Sequence, residues 1–375
     1  MTENNTKNSS AHFGAIDGMK GIGACIIAFF WHYRHFRPQN GFPMHSVFPM
    51  SYDYGSFMVE LFFMLSGFGM MTGYFTRVSE HRIGFCEFMG KRLKKLYPPF
   101  LFFTALTVIL QLVYRSKCGE TFVYNNFDIE HLIYNLFLMQ DGFFGEGWSF
   151  DAPSWCISIC ILCYLLFYFI LYRVKDERHA CYVFFATALL GTTIILSGKS
   201  YPIWNSLVGR GISCFSIGAI LSIVYKNRDR FRSQRLGYAC LAAVIASYLV
   251  LRFKSEFMGN FRMAFILGIA PSLILAVLFI PWLRKLLSVR PLTYLGSLSI
   301  VIYLVHFPVQ CAVVTVDKYC GLGLDYSTKP VWFVYAAAVI VSALIYKLFI
   351  AKTAEKVILG FFAKNSSSAD TKKNS

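Results

Sequence analysis

GSFMVELFFMLSGFGMMTGYFT, residues 55–76, is an apolar run with one ionisable residue, Glu60. About 20 apolar residues make a helix long enough to cross the hydrocarbon core of a bilayer. In that medium an isolated segment must satisfy its own backbone N–H and C=O groups, and a helix does so. The run therefore reads as a transmembrane helix. Nine more stretches of this kind accompany it, at 14–33, 97–114, 152–173, 180–198, 205–225, 236–252, 262–282, 292–316 and 330–351. Asp17 and Lys20 interrupt the first one. It has no small-residue cleavage site, and Trp31, His32 and Arg34 follow it, so it reads as a retained helix rather than a signal peptide.

Composition agrees. Of 375 residues, 56% are hydrophobic and only 15% are charged, against roughly 25% charged in a soluble domain. A disordered chain, a disulfide miniprotein and a DNA-binding domain are excluded. The expected fold is an all-α integral membrane protein, a bundle of about ten transmembrane helices over residues 14–356. Polar, disordered ends are expected at 1–13 and 357–375. No internal repeat is visible.

The net charge of +16 is explained by topology. With both termini cytoplasmic, inside segments carry 24 of the 36 Lys and Arg and outside segments carry 10, leaving Lys20 and Arg210 within helices. This is the positive-inside bias, and it makes nucleic acid unnecessary as a partner. The longest outside stretch, about 115–151, holds Glu120, Asp128, Glu130, Asp141, Glu146 and Asp151 among aromatic residues. That composition suits sugar hydroxyls, but it suits a solvated loop on the lipid headgroups better.

Ionisable residues inside spans are costly and point to function. Asp17 and Lys20 open the first helix and His32 and His35 close it; Asp17 and Lys20, three apart, are equally able to pair with each other. Glu60 needs a partner or a proton, whereas Ser66-Gly67 beside it suits close helix packing. Lys91, Arg92, Lys94 and Lys95 precede Pro98-Pro99. They serve either as a positive-inside anchor or as a phosphate clamp, with Arg92 and Lys95 on one helix face. His306 lies just before Pro308. Cys156, Cys160 and Cys163 share a helix face, but no histidine or carboxylate joins them, so packing is the preferred reading over a metal site. Cys118 and Cys320 both fall outside and are candidates for a disulfide.

Taken in order, these blocks resemble the membrane acyltransferase-3 family, multi-spanning enzymes that O-acylate sugars and cell-envelope polymers. Asp17, Gly18, Lys20, Gly21 and His32 look like its opening motif. Phe62, Phe63, Ser66, Gly67 and Phe68 match its Phe-Phe-x-x-Ser-Gly-Phe block, and Arg92 and Lys95 its Arg-x-x-Arg pair. Trp155 and Ser158 match its Trp-x-x-Ser block. Arg210, Phe215 and Gly218 match its mid-chain Arg, Phe and Gly, and Ser299, Tyr303, Leu304, His306 and Pro308 its last block. There are three departures. Eleven residues separate Lys20 from His32 where the family has ten, which turns the histidine by about 100° on an α-helix unless a bulge compensates; His35 is the substitute. Cys160 and Ile161 stand where many members have a Glu pair. Lys95 replaces an arginine and lacks its bidentate fork.

The resemblance implies a multi-pass enzyme of the bacterial plasma membrane that transfers an acyl group, most often acetyl, from acyl-coenzyme A on the cytoplasmic side to a carbohydrate or envelope hydroxyl. Lys91, Arg92 and Lys95 would hold the nucleotide. His32 would be the general base, with Asp17, Lys20 and Glu60 orienting the site or balancing its charge, Arg210 stabilising the developing oxyanion, and His306 as a second base or an acyl-site residue. No permanently bound cofactor and no metal are expected. The rival readings are a glycoconjugate transporter or flippase, and a decayed family member acting as a sensor.

Overall fold

The computed structural model describes the backbone of residues 2–140, 147–198, 202–230, 233–253, 261–358 and 360, with side chains from Gly14 onward except at 253. Asp141 and Glu146 of the acidic loop, and nearly all of the expected 357–375 tail, lie outside the described residues. The chain is all-α: among the described residues no strand forms, and one isolated bridge joins Asn126 to Ser149.

Ten helices are long and apolar enough to cross a membrane. They are α1 (Gly14–Phe36), α2 (Pro49–Ser79), α3 (Phe85–Cys118), α4 (Ala152–Arg173), α5 (Glu177–Ser197), α6 (Ser206–Lys226), α7 (Ser233–Arg252), α8 (Phe261–Phe279), α9 (Arg290–Cys320) and α10 (Lys329–Ile358). Each overlaps one apolar run. The helix that carries α1 begins at Thr2. Helix α3 departs most from expectation, starting at Phe85 and running through Pro98 and Pro99. Hydropathy sees only its apolar part, and the basic turns ahead of the prolines are helical too.

The chain divides into two compact units. The first comprises Met1–His32, Met44–Gly84 and Ile159–Ser299. Here α6 packs on both α2 and α5. In lipid, helices gain little from hydrophobic burial against each other, so close backbone packing and hydroxyl bonds hold them. A Cβ on Gly67 would stand 1.9 Å from the Phe215 carbonyl oxygen, and one on Gly218 would stand 1.9 Å from that of Met64. The two glycines let α2 and α6 touch backbone to backbone. Hydroxyl pairs flank the seam: Thr72 with Ser222 at 2.9 Å, Ser66 with Tyr164 at 3.0 Å, and Thr187 with Ser216 at 2.9 Å.

The second unit comprises Tyr33–Pro43, Phe85–Ser158 and Ile300–Ser375. Buried amides pin its long connection. Gln111 donates to the Phe122 carbonyl at 2.9 Å and accepts from the Phe122 N–H at 2.8 Å. Gln140 donates to Ser154 and accepts from Ser158, at 3.0 and 2.6 Å. Tyr346 packs between Phe102 and Phe103, tying α10 to α3.

Gly218→Val, which forces the α2–α6 seam apart, is expected to lower stability by about 1–3 kcal/mol. Gly69→Ala on the same α2 meets nothing within 4 Å and is expected to be neutral or mildly stabilising. Thermal unfolding in detergent micelles compares the two.

Candidate functional site

In the first unit, Asp17 and Lys20 pair across one helical turn at 3.5 Å, both partly exposed. A pair this open contributes about 0–1 kcal/mol. The backbone around it is tightly held, because a Cβ on Gly296 of α9 would stand 2.0 Å from the Asp17 carbonyl oxygen.

Beyond Lys20, α1 changes form. Ile27–Trp31 is a π-turn, and His32 opens a 3-10 turn that ends at Phe36. A π-turn bonds i to i+5 where an α-helix bonds i to i+4, so it takes up one additional residue. The π-turn lies between Lys20 and His32, where it takes up one added residue.

Glu60 is completely buried at the start of the regular helix of α2. Its Oε1 accepts from Arg210 Nε at 2.8 Å and from Arg262 Nη1 at 2.6 Å. Its Oε2 makes no hydrogen bond. The Arg262 guanidinium also lies 4.8 Å from the Phe57 ring centroid. The sequence pointed to Glu60 and Arg210 but not to Arg262. That residue sits on the first turn of α8, after a stretch with other basic residues, and it reads there as one more loop cation.

The second unit holds the remaining candidates. On α3, Lys91 is exposed and donates to Glu87 at 2.6 Å, and Lys94 pairs with Glu355 at 3.1 Å. Arg92 is half-buried and Lys95 exposed, three apart on the same helix. His306 is fully buried in α9, with Nδ1 2.6 Å from the Tyr303 carbonyl oxygen. That carbonyl only accepts, so Nδ1 carries the proton. The Tyr303 hydroxyl donates to the Pro153 carbonyl and lies 3.3 Å from Cys156 Sγ.

His35 joins this unit through two partners. Its Nδ1 lies 2.9 Å from Gln310 Oε1, and its Nε2 lies 3.3 Å from the Tyr124 hydroxyl. The amide oxygen only accepts, so Nδ1–H donates to it and Nε2 accepts from the phenol. In the neutral imidazole these partners select the Nδ1–H tautomer. The Tyr124 phenol itself is pushed above its ordinary range, mainly by burial and secondarily by the Asp151 carboxyl. Gln310 and Tyr124 were not legible as site residues, since neither is charged and they lie far apart in sequence.

A family of proteins described as the acyltransferase domain matches residues 13–348. The chain belongs to the acyltransferase-3 family. No curated protein and no solved structure matches it. In this acyltransferase the family blocks meet one another in pairs. The Ser66-Gly67 block packs on the Phe215–Gly218 block. The Asp17–Gly21 block packs on Leu295-Gly296, just ahead of the Ser299 block. The Pro153–Cys156 segment meets Tyr303. Among the described residues, no group of three or more His, Cys, Asp or Glu side chains is placed to hold a metal ion. Cys118 and Cys320 are free thiols.

Glu60→Gln leaves two guanidiniums on a neutral partner. It is expected to destabilise the acyltransferase by about 3–5 kcal/mol, the cost of opening a buried ion pair. Arg262→Ala removes a cation that is 35% exposed and solvent-screened, so about 1–2 kcal/mol is expected. The double mutant should lose less than the sum, a coupling read from thermal melts of all four proteins.

Proposed function

We propose that this acyltransferase moves an acetyl group from acetyl-coenzyme A, on the cytoplasmic side of a bacterial plasma membrane, to a hydroxyl of a cell-surface carbohydrate or related envelope acceptor. In this reading Arg92 and Lys95, with Lys91 beside them, receive the nucleotide's phosphates, which suit cations on one helix face. His32 is the general base. The acceptor hydroxyl gives its proton to the imidazole as its oxygen attacks the thioester carbonyl. The C–S bond then breaks, and the proton passes to the departing coenzyme A thiolate. Asp17 and Lys20 set the charge at the start of α1. Arg210, held by Glu60, stands for the oxyanion that develops on the carbonyl. His306 is the second base.

The observation that carries this reading is the π-turn at Ile27–Trp31. A π-turn is a rare local form, frequent at functional sites, and two more occur in this chain, at Phe265–Ile269 and Tyr346–Ile350. The first lies between Lys20 and His32, where the spacing carries one residue more than the family's. A second assignment, with His35 as the base, is favoured by the Gln310 and Tyr124 hydrogen bonds that fix its tautomer.

Purified His32→Ala, checked for membrane insertion, is expected to bind acetyl-coenzyme A like the wild type and to lose transfer by at least about 100-fold, the scale of general-base catalysis. His35→Ala is expected to lose much less. Full activity in His32→Ala removes His32 from the role, and loss confined to His35→Ala moves the base there. Arg92→Ala with Lys95→Ala is expected to weaken acetyl-coenzyme A binding about 10-fold or more. A wild type that binds none would favour the transporter reading.

A further inference from the structure

Among the described residues, three helices begin with a side chain seen to cap them. Asp128 accepts from the His131 N–H at 2.9 Å, Asp176 from the His179 N–H at 3.0 Å, and Asn205 from the Leu207 and Val208 N–H groups at 3.0 and 3.1 Å. Asp151 occupies the same position ahead of the Ala152–Ser154 turn that opens α4, but its side chain caps nothing. It is 0% exposed, and among the described residues neither carboxyl oxygen has a hydrogen-bond partner. Burial pushes this carboxyl well above the usual carboxylate range, toward the neutral acid. A buried carboxyl that forgoes both water and a cap is a costly thing for a fold to keep.

Its surroundings suggest what it is kept for. The Tyr124 hydroxyl, within electrostatic reach of Asp151, also donates to His35 Nε2. The residues just before Tyr124 and Asp151 are Val123 and Phe150, whose φ angles are +69° and +44°. Bulky and β-branched residues avoid the left-handed region, so both turns hold strain where the chain presents these two side chains. Aromatic rings pair with one another in these same segments. Phe127 packs on Phe150 with centroids 4.8 Å apart, Tyr124 on Phe307 at 5.1 Å, and Trp148 on Trp155 at 6.4 Å. Trp148, three residues before Asp151, is 40% exposed.

We propose that Asp151 is an acceptor-binding residue, whose free carboxyl oxygens take hydroxyls of the carbohydrate beside the Tyr124–His35 pair, with Trp148 as a stacking face. The inference rests on the carbohydrate acceptor proposed above and adds the residue that anchors it. A carboxylic acid has one O–H to donate and oxygens to accept, which matches a hydroxyl doing the same. An ammonium group would need the charged form, which burial opposes.

The test uses the full-length protein in lipid nanodiscs, radiolabelled acetyl-coenzyme A, and polysaccharide extracted from the host envelope as the acceptor probe. In Asp151→Ala the extract concentration for half-maximal transfer is expected to rise at least about 10-fold, the effect of losing a buried hydrogen-bond partner. Acetyl-coenzyme A affinity should stay within about twofold, and the melting temperature should not fall, because an unsatisfied group has been removed. Asp151→Asn keeps an acceptor oxygen and is expected to stay within about threefold of wild type. Unchanged half-saturation in Asp151→Ala overturns the proposal. So does a lower melting temperature with lost acetyl-coenzyme A binding, which marks a structural role. A second measurement does not depend on transfer. Dicyclohexylcarbodiimide adds to buried protonated carboxyls, and the extract is expected to slow its labelling of wild-type Asp151 by at least about threefold, read by peptide mass spectrometry. Absence of protection overturns the anchor. Protection without any acetyl transfer keeps the anchor and refutes the acyl-transfer reading instead.

Discussion

Glu60 is a carboxylate with no exposure in a chain whose surroundings are mostly hydrocarbon, and its charge has to be closed from within the fold. One oxygen takes two guanidiniums, from α6 and from the first turn of α8. Charge closure and helix packing therefore coincide in the first unit. The same α2–α6 seam that lets two backbones touch through Gly67 and Gly218 also aligns Arg210 with Glu60, 150 residues earlier in the chain. Neither feature works alone. Without the glycines the helices would stand too far apart for the ion pair, and without the ion pair a buried carboxylate would oppose the close approach.

Much of this was readable in the sequence, for physical reasons. Hydrocarbon admits a narrow set of backbones, so ten apolar runs give ten helices with little ambiguity. An ionisable residue in such a run stands out, as Glu60 and Arg210 did. What stayed hidden depends on contacts distant in sequence or on local backbone geometry. Arg262 lies at a helix start beside a loop, where a cation costs nothing to explain. Tyr124 and Gln310 carry no charge, and only the fold brings them to His35. The π-turn leaves no compositional mark, and the sole hint of it was a count of eleven residues where ten would do.

The family blocks look different once their contacts are known. Ser66-Gly67-Phe68 reads as a site motif in one dimension. In three it is half of a packing joint, with Phe215 and Gly218 as the other half and the Ser66 hydroxyl engaged by Tyr164. The block around Asp17 and Gly21 stands in the same relation to Leu295-Gly296. Several of the residues that make the chain recognisable thus hold helices at a fixed distance, and the chemistry depends on that distance.

The two most buried carboxyls among the described residues then illustrate opposite solutions. Glu60 is surrounded by cations and gains its stability from them. Asp151 has no hydrogen-bond donor on either oxygen among the described residues, and it follows a residue in a strained backbone conformation. A fold that relaxed toward greatest stability would cap α4 with Asp151, as it caps three other helices with Asp128, Asp176 and Asn205. That this carboxyl is buried without capping, within electrostatic reach of Tyr124, is hard to reconcile with a purely structural role, because an apolar residue of similar size would serve the packing at lower cost. The unsatisfied group makes physical sense once its missing partner is taken to be a molecule that arrives from outside the chain.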